Sequence, residues 1–103
     1  MASQQSPQQI LQAMGLGPAA ARCYLILTEC LPRAERVSFI TSQSGQSSAT
    51  TYRALDELIQ KGFATKTRII AATTYRALDP ATAIDNYAAY LRRLVRPLTR
   101  DQR

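Results

Sequence analysis

One octapeptide, ATTYRALD, occurs twice in this 103-residue chain, at residues 49–56 and again at residues 72–79. The first copy continues into a run of helix formers, with apolar residues at helical spacing, and this run stops at Gly62. The second copy follows a stretch rich in β-formers and runs into Pro80, which disfavours the α conformation at Asp79. Because the flanks differ, we expect the first copy to be helical and the second to be a strand.

The remaining patterns predict a mainly α chain with a small β-hairpin. Helix-start and helix-stop signals, apolar periodicity and alternation predict helices over residues 7–14, 18–31, 34–44, 47–61 and 80–96, and strands over residues 63–68 and 72–78. Gly45 lies in the short connection between the third and fourth helices, which is the arrangement of a helix-turn-helix. Adding the hairpin gives a winged helix-turn-helix with an N-terminal helix and a C-terminal helix. The tip at residues 69–71 lacks the glycine, asparagine or aspartate that tight hairpin turns favour.

The charge balance favours a polyanionic partner. The chain carries a formal net charge of +6, and residues 92–103 contain five arginines against one aspartate. Hydrophobic residues make up 46% of the chain, which is typical of a globular domain. For the C-terminal arginines, two interpretations stay open: a solvated helix end, or a further contact with phosphates or an acidic partner.

Several classes of function are disfavoured by the residues the chain lacks. There is no histidine, and the four glycines are scattered, so neither Ser-His-Asp chemistry, a His-based metal site nor a glycine-rich phosphate loop is predicted. We therefore expect no enzyme activity, no cofactor and no metal. Cys23 and Cys30 are predicted to be small core residues, with a redox role as the alternative. No leader or long apolar segment is recognised, so we expect a cytoplasmic, nucleoid-associated protein with no membrane partner.

Several segments together resemble the TrmB-type winged-helix transcriptional regulators over about residues 10–84. The residues that carry the resemblance are Leu16, Ala21-Arg22-Cys23-Tyr24-Leu25, Ser44-Gly45, Tyr52, Leu55, Leu58, Lys61-Gly62-Phe63 and Tyr75-Arg76-Ala77-Leu78-Asp79-Pro80. The resemblance implies a sequence-specific double-stranded DNA-binding protein that regulates transcription. It also implies a helix over residues 47–61 that reads the major groove, and a wing over residues 63–78 that contacts the backbone.

Mapped onto this sequence, the resemblance implies a DNA-binding set in two parts. The reading edge of the helix comprises Ser47, Ser48, Thr50 and Arg53, and the wing adds Lys66, Arg68 and Arg76, which we expect to share one face of the hairpin. The chain departs from the family pattern at positions 48 and 50, where basic residues are typical, and at Gln46, where an apolar residue is usual. An alternative for Arg53 is a helix-stabilising pair with Glu57.

Two apolar features indicate partners. Heptad spacing in the last helix predicts an apolar seam that must be buried, formed by Ile84, Tyr87, Leu91 and Leu94. The family resemblance implies that this seam pairs two chains in a homodimer, with packing on the chain's own first helix as the alternative. Ile69 and Ile70 at the wing tip suggest a protein contact. The alternative function is therefore a winged-helix interaction module within a larger assembly, with weak or no DNA binding.

These patterns divide the chain into four parts. We expect a disordered lead over residues 1–6, the DNA-binding domain over residues 7–79, the dimerisation helix over residues 80–96, and a mobile basic tail over residues 97–103, because Pro97 is predicted to end the helix.

Overall fold

The computed structural model describes residues 5–100, with side chains as far as residue 98. In chain order its elements are α1 (Pro7–Met14), α2 (Pro18–Cys30), β1 (Glu35–Arg36), α3 (Val37–Ser44), α4 (Ser48–Lys61), β2 (Ala64–Ile69), β3 (Ala72–Ala77) and α5 (Pro80–Arg100). The predicted fold class is confirmed, with α3 and α4 forming the helix-turn-helix and β2 and β3 forming the wing. No helix in the described part of the chain is long and apolar enough to cross a membrane.

The two copies of the octapeptide fold differently, as predicted. The first copy lies in α4, where Thr51 and Leu55 are buried and Tyr52 is 51% exposed. The second copy supplies β3, where the equivalent tyrosine, Tyr75, is 2% exposed and Ala77 is also buried. The same string presents its tyrosine to solvent in one copy and to the core in the other, because side chains repeat every 3.6 residues in a helix and every two in a strand.

The N-terminal end of α1 follows directly from its sequence. The Gln9 N–H donates to Ser6 Oγ at 3.2 Å, and the Ser6 N–H donates to Gln9 Oε1 at 2.9 Å. This reciprocal pair is a capping box, and Pro7 occupies the first turn, where its missing N–H removes no helical bond. The predicted lead therefore gives way to ordered structure by Ser6, while residues 1–4 lie outside the described part.

The predicted start of the third helix at residue 34 is wrong. Glu35 and Arg36 form β1 and pair antiparallel with Tyr75 and Thr74 of β3, so α3 begins at Val37. The sheet therefore has three strands, in the order β1-β3-β2. This strand is only two residues long. Its stability depends on pairing with the free edge of β3, which lies far along the chain.

The predicted end of the last helix at Pro97 is also wrong. Helix α5 continues through Pro97 to Arg100. A proline inside a helix removes one backbone donor and crowds the preceding turn, but it does not force the chain to leave the helix. Of the predicted basic tail, residues 97–100 are thus helical, and residues 101–103 lie outside the described part.

Phe63, at the exit from α4, lies at the centre of the core. Its ring meets Tyr24 of α2 edge-on, with 5.2 Å between centroids, and meets Tyr87 of α5 at 5.5 Å. The Asn86 side chain also donates to the Gly62 carbonyl at 2.9 Å. These contacts hold the first half of α5 against the domain, whereas residues 91–98 are all exposed.

Candidate nucleic-acid interface

A glycine turn and a serine cap set the start of α4. Gly45 has a φ of 73°, a left-handed conformation that favours glycine, and its N–H donates to the Thr41 carbonyl at 3.0 Å. The Ser47 hydroxyl accepts the Thr50 N–H at 3.1 Å and donates to Thr50 Oγ1 at 3.0 Å. Ser47 and Thr50 therefore bind each other, and both Ser47 and Ser48 are exposed at the start of the helix.

The polar turn residue Gln46 is accommodated by hydrogen bonds. Its N–H donates to Ser44 Oγ at 3.2 Å, and its side-chain oxygen accepts from Cys23 Sγ at 3.8 Å. Arg22 Nε donates to the Ser44 carbonyl at 3.0 Å and joins α2 to the end of α3. The turn thus keeps its helix-turn-helix geometry without the usual apolar residue, because its polar groups have partners.

The exposed face of α4 carries a free-standing arginine. Arg53 is exposed, and the alternative in which it pairs with Glu57 is wrong. The Glu57 carboxylate instead accepts from Lys61 Nζ at 2.9 Å and from the Gly17 N–H at 2.9 Å. Within the side chains described, Arg53 forms no ion pair, so its guanidinium remains available to a ligand.

The predicted grouping of the wing cations is only partly correct. In the register of β2 and β3, Lys66 lies opposite Tyr75 and Arg68 lies opposite Thr73. Residues directly opposite share a face, so Lys66 and Arg68 extend from the face that buries Tyr75. Arg76 lies opposite Thr65 and therefore points to the other face. The prediction that all three cations share one face is wrong for Arg76, because the turn fixes a register that alternation alone could not supply.

A groove of about 410 Å³ separates the wing from α4 and the start of α3. Arg36, Tyr52, Arg68 and Ile70 are among the residues that line it. Burial raises the pKa of Tyr75 in the neighbouring strand β3, nearby Asp56 and Tyr52 raise it further, and Arg68 lowers it. The wing cation Arg68 and Tyr52 of α4 thus line one groove, whereas Arg53 lines a separate depression beside the start of α2.

Sequence reasoning missed Arg36 and Tyr52, which line this groove, and Asp56, which acts on Tyr75 nearby. Tyr52 and Asp56 are exposed on α4 beside Arg53, and helical spacing from Ala49 would have placed them there. From the sequence, Tyr52 was identified only as one of the residues shared with the TrmB-type family. Arg36 gave no signal, because its position depends on β1.

Helix α5 presents an apolar stripe to solvent, and Tyr87, which was predicted to belong to it, does not. Ile84, Leu91 and Leu94 are exposed by 51%, 42% and 55%. Tyr87 is 7% exposed and packs on Phe63, so its assignment to the exposed seam is wrong. The tyrosine shares the heptad spacing, but its ring fills the space between α5 and the chain's own core.

The cysteines behave as core residues. Cys23 and Cys30 are both buried and free. Burial raises the pKa of the Cys23 thiol from 9.0 to about 11, and Arg22 offsets only part of that rise. Across the described residues, no group of three or more cysteines, aspartates and glutamates is arranged to hold a metal ion.

The fold and this surface define a winged helix-turn-helix protein of the kind found in transcriptional regulators. The family model for the sugar-specific transcriptional regulator TrmB matches residues 11–81, and the chain belongs to this family. A search of curated proteins found no match.

Solved structures share the fold at low sequence identity. TrmBL2, an archaeal chromatin protein, superposes with a TM-score of 0.72 at 23% identity, over 93% of this chain and 36% of that one. A further transcriptional regulator gives a TM-score of 0.65 at 20% identity, over 93% and 63%. A homodimeric winged helix-turn-helix DNA-binding domain from Mycobacterium bovis, a possible ArsR-family regulator, gives 0.52 at 22% identity, over 93% of each chain. This chain thus spans less than two thirds of the first two structures.

Proposed function

We propose that this protein is a sequence-specific double-stranded DNA-binding regulator of transcription that reads the major groove with α4 and the backbone with the wing. The observation that carries the proposal is the groove that Tyr52 of α4 and the wing cation Arg68 line together, with the exposed Arg53 next to Tyr52 on the helix. Membership of the TrmB family supports it. Association with the nucleoid would follow from this function.

The chemistry of α4 suits a groove. An α-helix fits the major groove, and an arginine there binds guanine through two hydrogen bonds, worth about 1–3 kcal/mol of discrimination. Arg53 is exposed and forms no ion pair with Glu57, and Ser48 and Tyr52 are also exposed on α4. Ser47 and Thr50 hydrogen-bond to each other, so we assign them the role of fixing the start of α4. Base reading is assigned to Arg53 and its neighbours.

The wing supplies the sequence-independent contacts. Lys66 and Arg68 project from the face of the hairpin that is turned toward α4, where they would meet phosphates beside the groove that α4 occupies. Arg76 lies on the other face. We therefore assign Arg76 no contact with the same phosphates, and it provides a control.

We also propose a homodimer formed through α5. Ile84, Leu91 and Leu98 are exposed and recur every seven residues, and Leu94 continues the seam. Arg92, Arg93 and Arg96 fall at heptad positions away from this seam, so two copies would pair without opposing their charges. The homodimeric domain from Mycobacterium bovis supports the idea at the level of the fold.

The test is a fluorescence-anisotropy titration on duplex DNA between about 50 and 200 mM salt, with a selected duplex and its scrambled counterpart. We expect affinity to fall steeply with salt. Arg53→Ala should lose preference for the selected duplex by about 5- to 100-fold. Lys66→Ala with Arg68→Ala should weaken both duplexes alike and reduce the slope of log K against log salt by about 2.

Arg76→Ala serves as the control for the wing, since it removes one positive charge from the opposite face. Its salt slope should stay close to that of the unmodified protein. Undetectable binding at low salt, or binding that does not depend on salt, would rule out the proposed function.

A further inference from the structure

The tip of the wing is an exposed apolar point on a short turn. Strand pairing extends to Ile69 and Ala72, so only Ile70 and Ala71 connect the two strands. Ile70 is 105% exposed and Ile69 is 61% exposed. No residue other than glycine has a positive φ in the described part of the chain, so this turn keeps ordinary backbone geometry. The small side chains of Ala71 and Ala72 leave Ile70 as the most prominent group at the tip.

The surroundings of the tip are cationic. Residues 64–77 include Lys66, Arg68 and Arg76 and no acidic residue. Arg36 and Arg68 line the groove that ends at Ile69 and Ile70. A large apolar side chain in a basic setting suits a polyanion that also offers an apolar interior, and stacked base pairs combine the two.

The position of the tip favours DNA over other polyanions. The groove that contains Ile70 is also lined by Tyr52 of α4, so the tip belongs to the same surface as the helix assigned to the major groove. A duplex that receives α4 in one groove therefore brings its neighbouring minor groove and backbone toward the wing.

We infer that the wing tip enters the minor groove and that Ile70 acts as a wedge between two base pairs, partly unstacking them and kinking the duplex. Lys66 and Arg68 hold the adjacent phosphates. The preferred position is a flexible pyrimidine-purine step, where unstacking costs least. This inference rests on the proposed function and adds a second means of selecting a site, through deformability of the DNA as well as base contacts.

The experiment uses the full chain and duplexes that carry 2-aminopurine at each candidate step beside the α4 site, because the fluorescence of this base rises when it loses its stacking neighbour. Binding is followed in parallel by anisotropy. At saturation we expect a severalfold rise in fluorescence at one step. Ile70→Ser should remove this rise while retaining binding within about tenfold, and Ile70→Leu should keep it.

Ile10→Ser is the matched control, because Ile10 is also exposed but lies on α1, away from the wing. It should behave like the unmodified protein. Both substitutions change exposed side chains, and circular dichroism checks that each variant is folded.

Three results would overturn the wedge. The first is saturated binding with flat fluorescence at every step, or an unchanged rise in Ile70→Ser. The second is loss of binding to phosphatidylserine-rich vesicles in Ile70→Ser with unchanged DNA fluorescence, which would assign the tip to a lipid surface. The third is a change in self-association in Ile70→Ser with unchanged DNA fluorescence, which would assign it to a second copy. Absence of any anisotropy change would instead remove the proposed function itself, so the two failures are distinguishable.

Discussion

Glu57 shows how one side chain joins distant parts of this domain. Its carboxylate accepts hydrogen bonds from the Gly17 N–H and from Lys61 Nζ, each at 2.9 Å. Lys61 also donates to the Gly15 carbonyl at 3.0 Å. Together these bonds connect the last turn of α4 to the loop between α1 and α2. The Glu57 carboxylate forms its ion pair with Lys61 and none with Arg53, so this network does not engage the proposed base-reading arginine.

Glu57→Ala is expected to lower the free energy of unfolding by about 1–3 kcal/mol, because the part-buried Gly17 N–H loses its acceptor and the Lys61 ammonium keeps only the Gly15 carbonyl. Urea denaturation followed by circular dichroism measures the change. Gln60→Ala, an exposed position on the same helix, should stay within about 0.5 kcal/mol of the unmodified protein. Equal stability of the two variants would show that the network contributes nothing.

Cys23 gives the protein an expected alkaline limit. Since burial raises the pKa of its thiol from 9.0 to about 11, the unfolded chain releases this proton at a lower pH than the folded chain. The contribution of the protonated Cys23 thiol to the free energy of unfolding is therefore complete below about pH 9, and it declines as the pH rises toward 11.

We expect the free energy of unfolding to fall by about 1–3 kcal/mol across this pH range. In Cys23→Ala the decrease over the same range should be smaller. Urea unfolding at a series of pH values measures both. Burial and the nearby Asp79 also raise the pKa of Tyr24, so a smaller decline should persist in the variant at the upper end. A variant with the same pH profile as the unmodified protein would contradict this assignment.

At the scale of elements, the junctions after α3 and α4 use glycine for different reasons. Gly45 and Gly62 both have left-handed backbones, with φ of 73° and 88°. Space around Gly45 is open, and an added Cβ would meet no atom within 4 Å. A Cβ on Gly62 would overlap the side chain of Asn86, which also donates to the Gly62 carbonyl. Only the second glycine is required for packing of α5.

Gly45→Ala should therefore cost about 1–2 kcal/mol, the penalty for an alanine in the left-handed region. Gly62→Ala should cost clearly more, because α5 must move or the turn must change conformation. Chemical denaturation of the two variants measures the difference. Equal losses of stability would mean that α5 can shift at Asn86 without further cost.

At the scale of the whole molecule, α5 divides into a part that belongs to the domain and a part that extends from it. Tyr87 and Asn86 fix its first half through Phe63 and Gly62. Its second half exposes several large apolar side chains: Leu91, Leu94, Val95 and Leu98. In the proposed dimer this half meets its counterpart, and the two copies of α4 would reach successive major grooves on one side of the duplex.

Leu91→Glu combined with Leu94→Glu should convert the proposed dimer to a monomer, because four carboxylates would meet in one apolar seam. Analytical ultracentrifugation measures the mass, and the anisotropy titration should show weaker DNA binding as the second half-site is lost. Asp85→Ala, an exposed change off the seam, should leave both unchanged. A double variant that keeps the mass and affinity of the unmodified protein would exclude pairing through this stripe.

Local signals determined the helices and the wing of this protein. Ser6-Pro7, Gly45, Gly62 and Pro80 mark where elements begin or end, because capping and backbone restrictions act over a few residues. The flanks of the two octapeptides were enough to give one helix and one strand. The DNA-binding residues and the dimer seam stay predictions.

Tertiary structure decided the features that depend on contacts across the chain. β1 exists because β3 offers a free edge, and Arg76 leaves the face of Lys66 and Arg68 because the tip turn sets the register. Tyr87 lies in the core because Phe63 provides a surface for it. The octapeptide ATTYRALD carries no preference strong enough to resist these surroundings, so its own letters left its structure open and its neighbours fixed it.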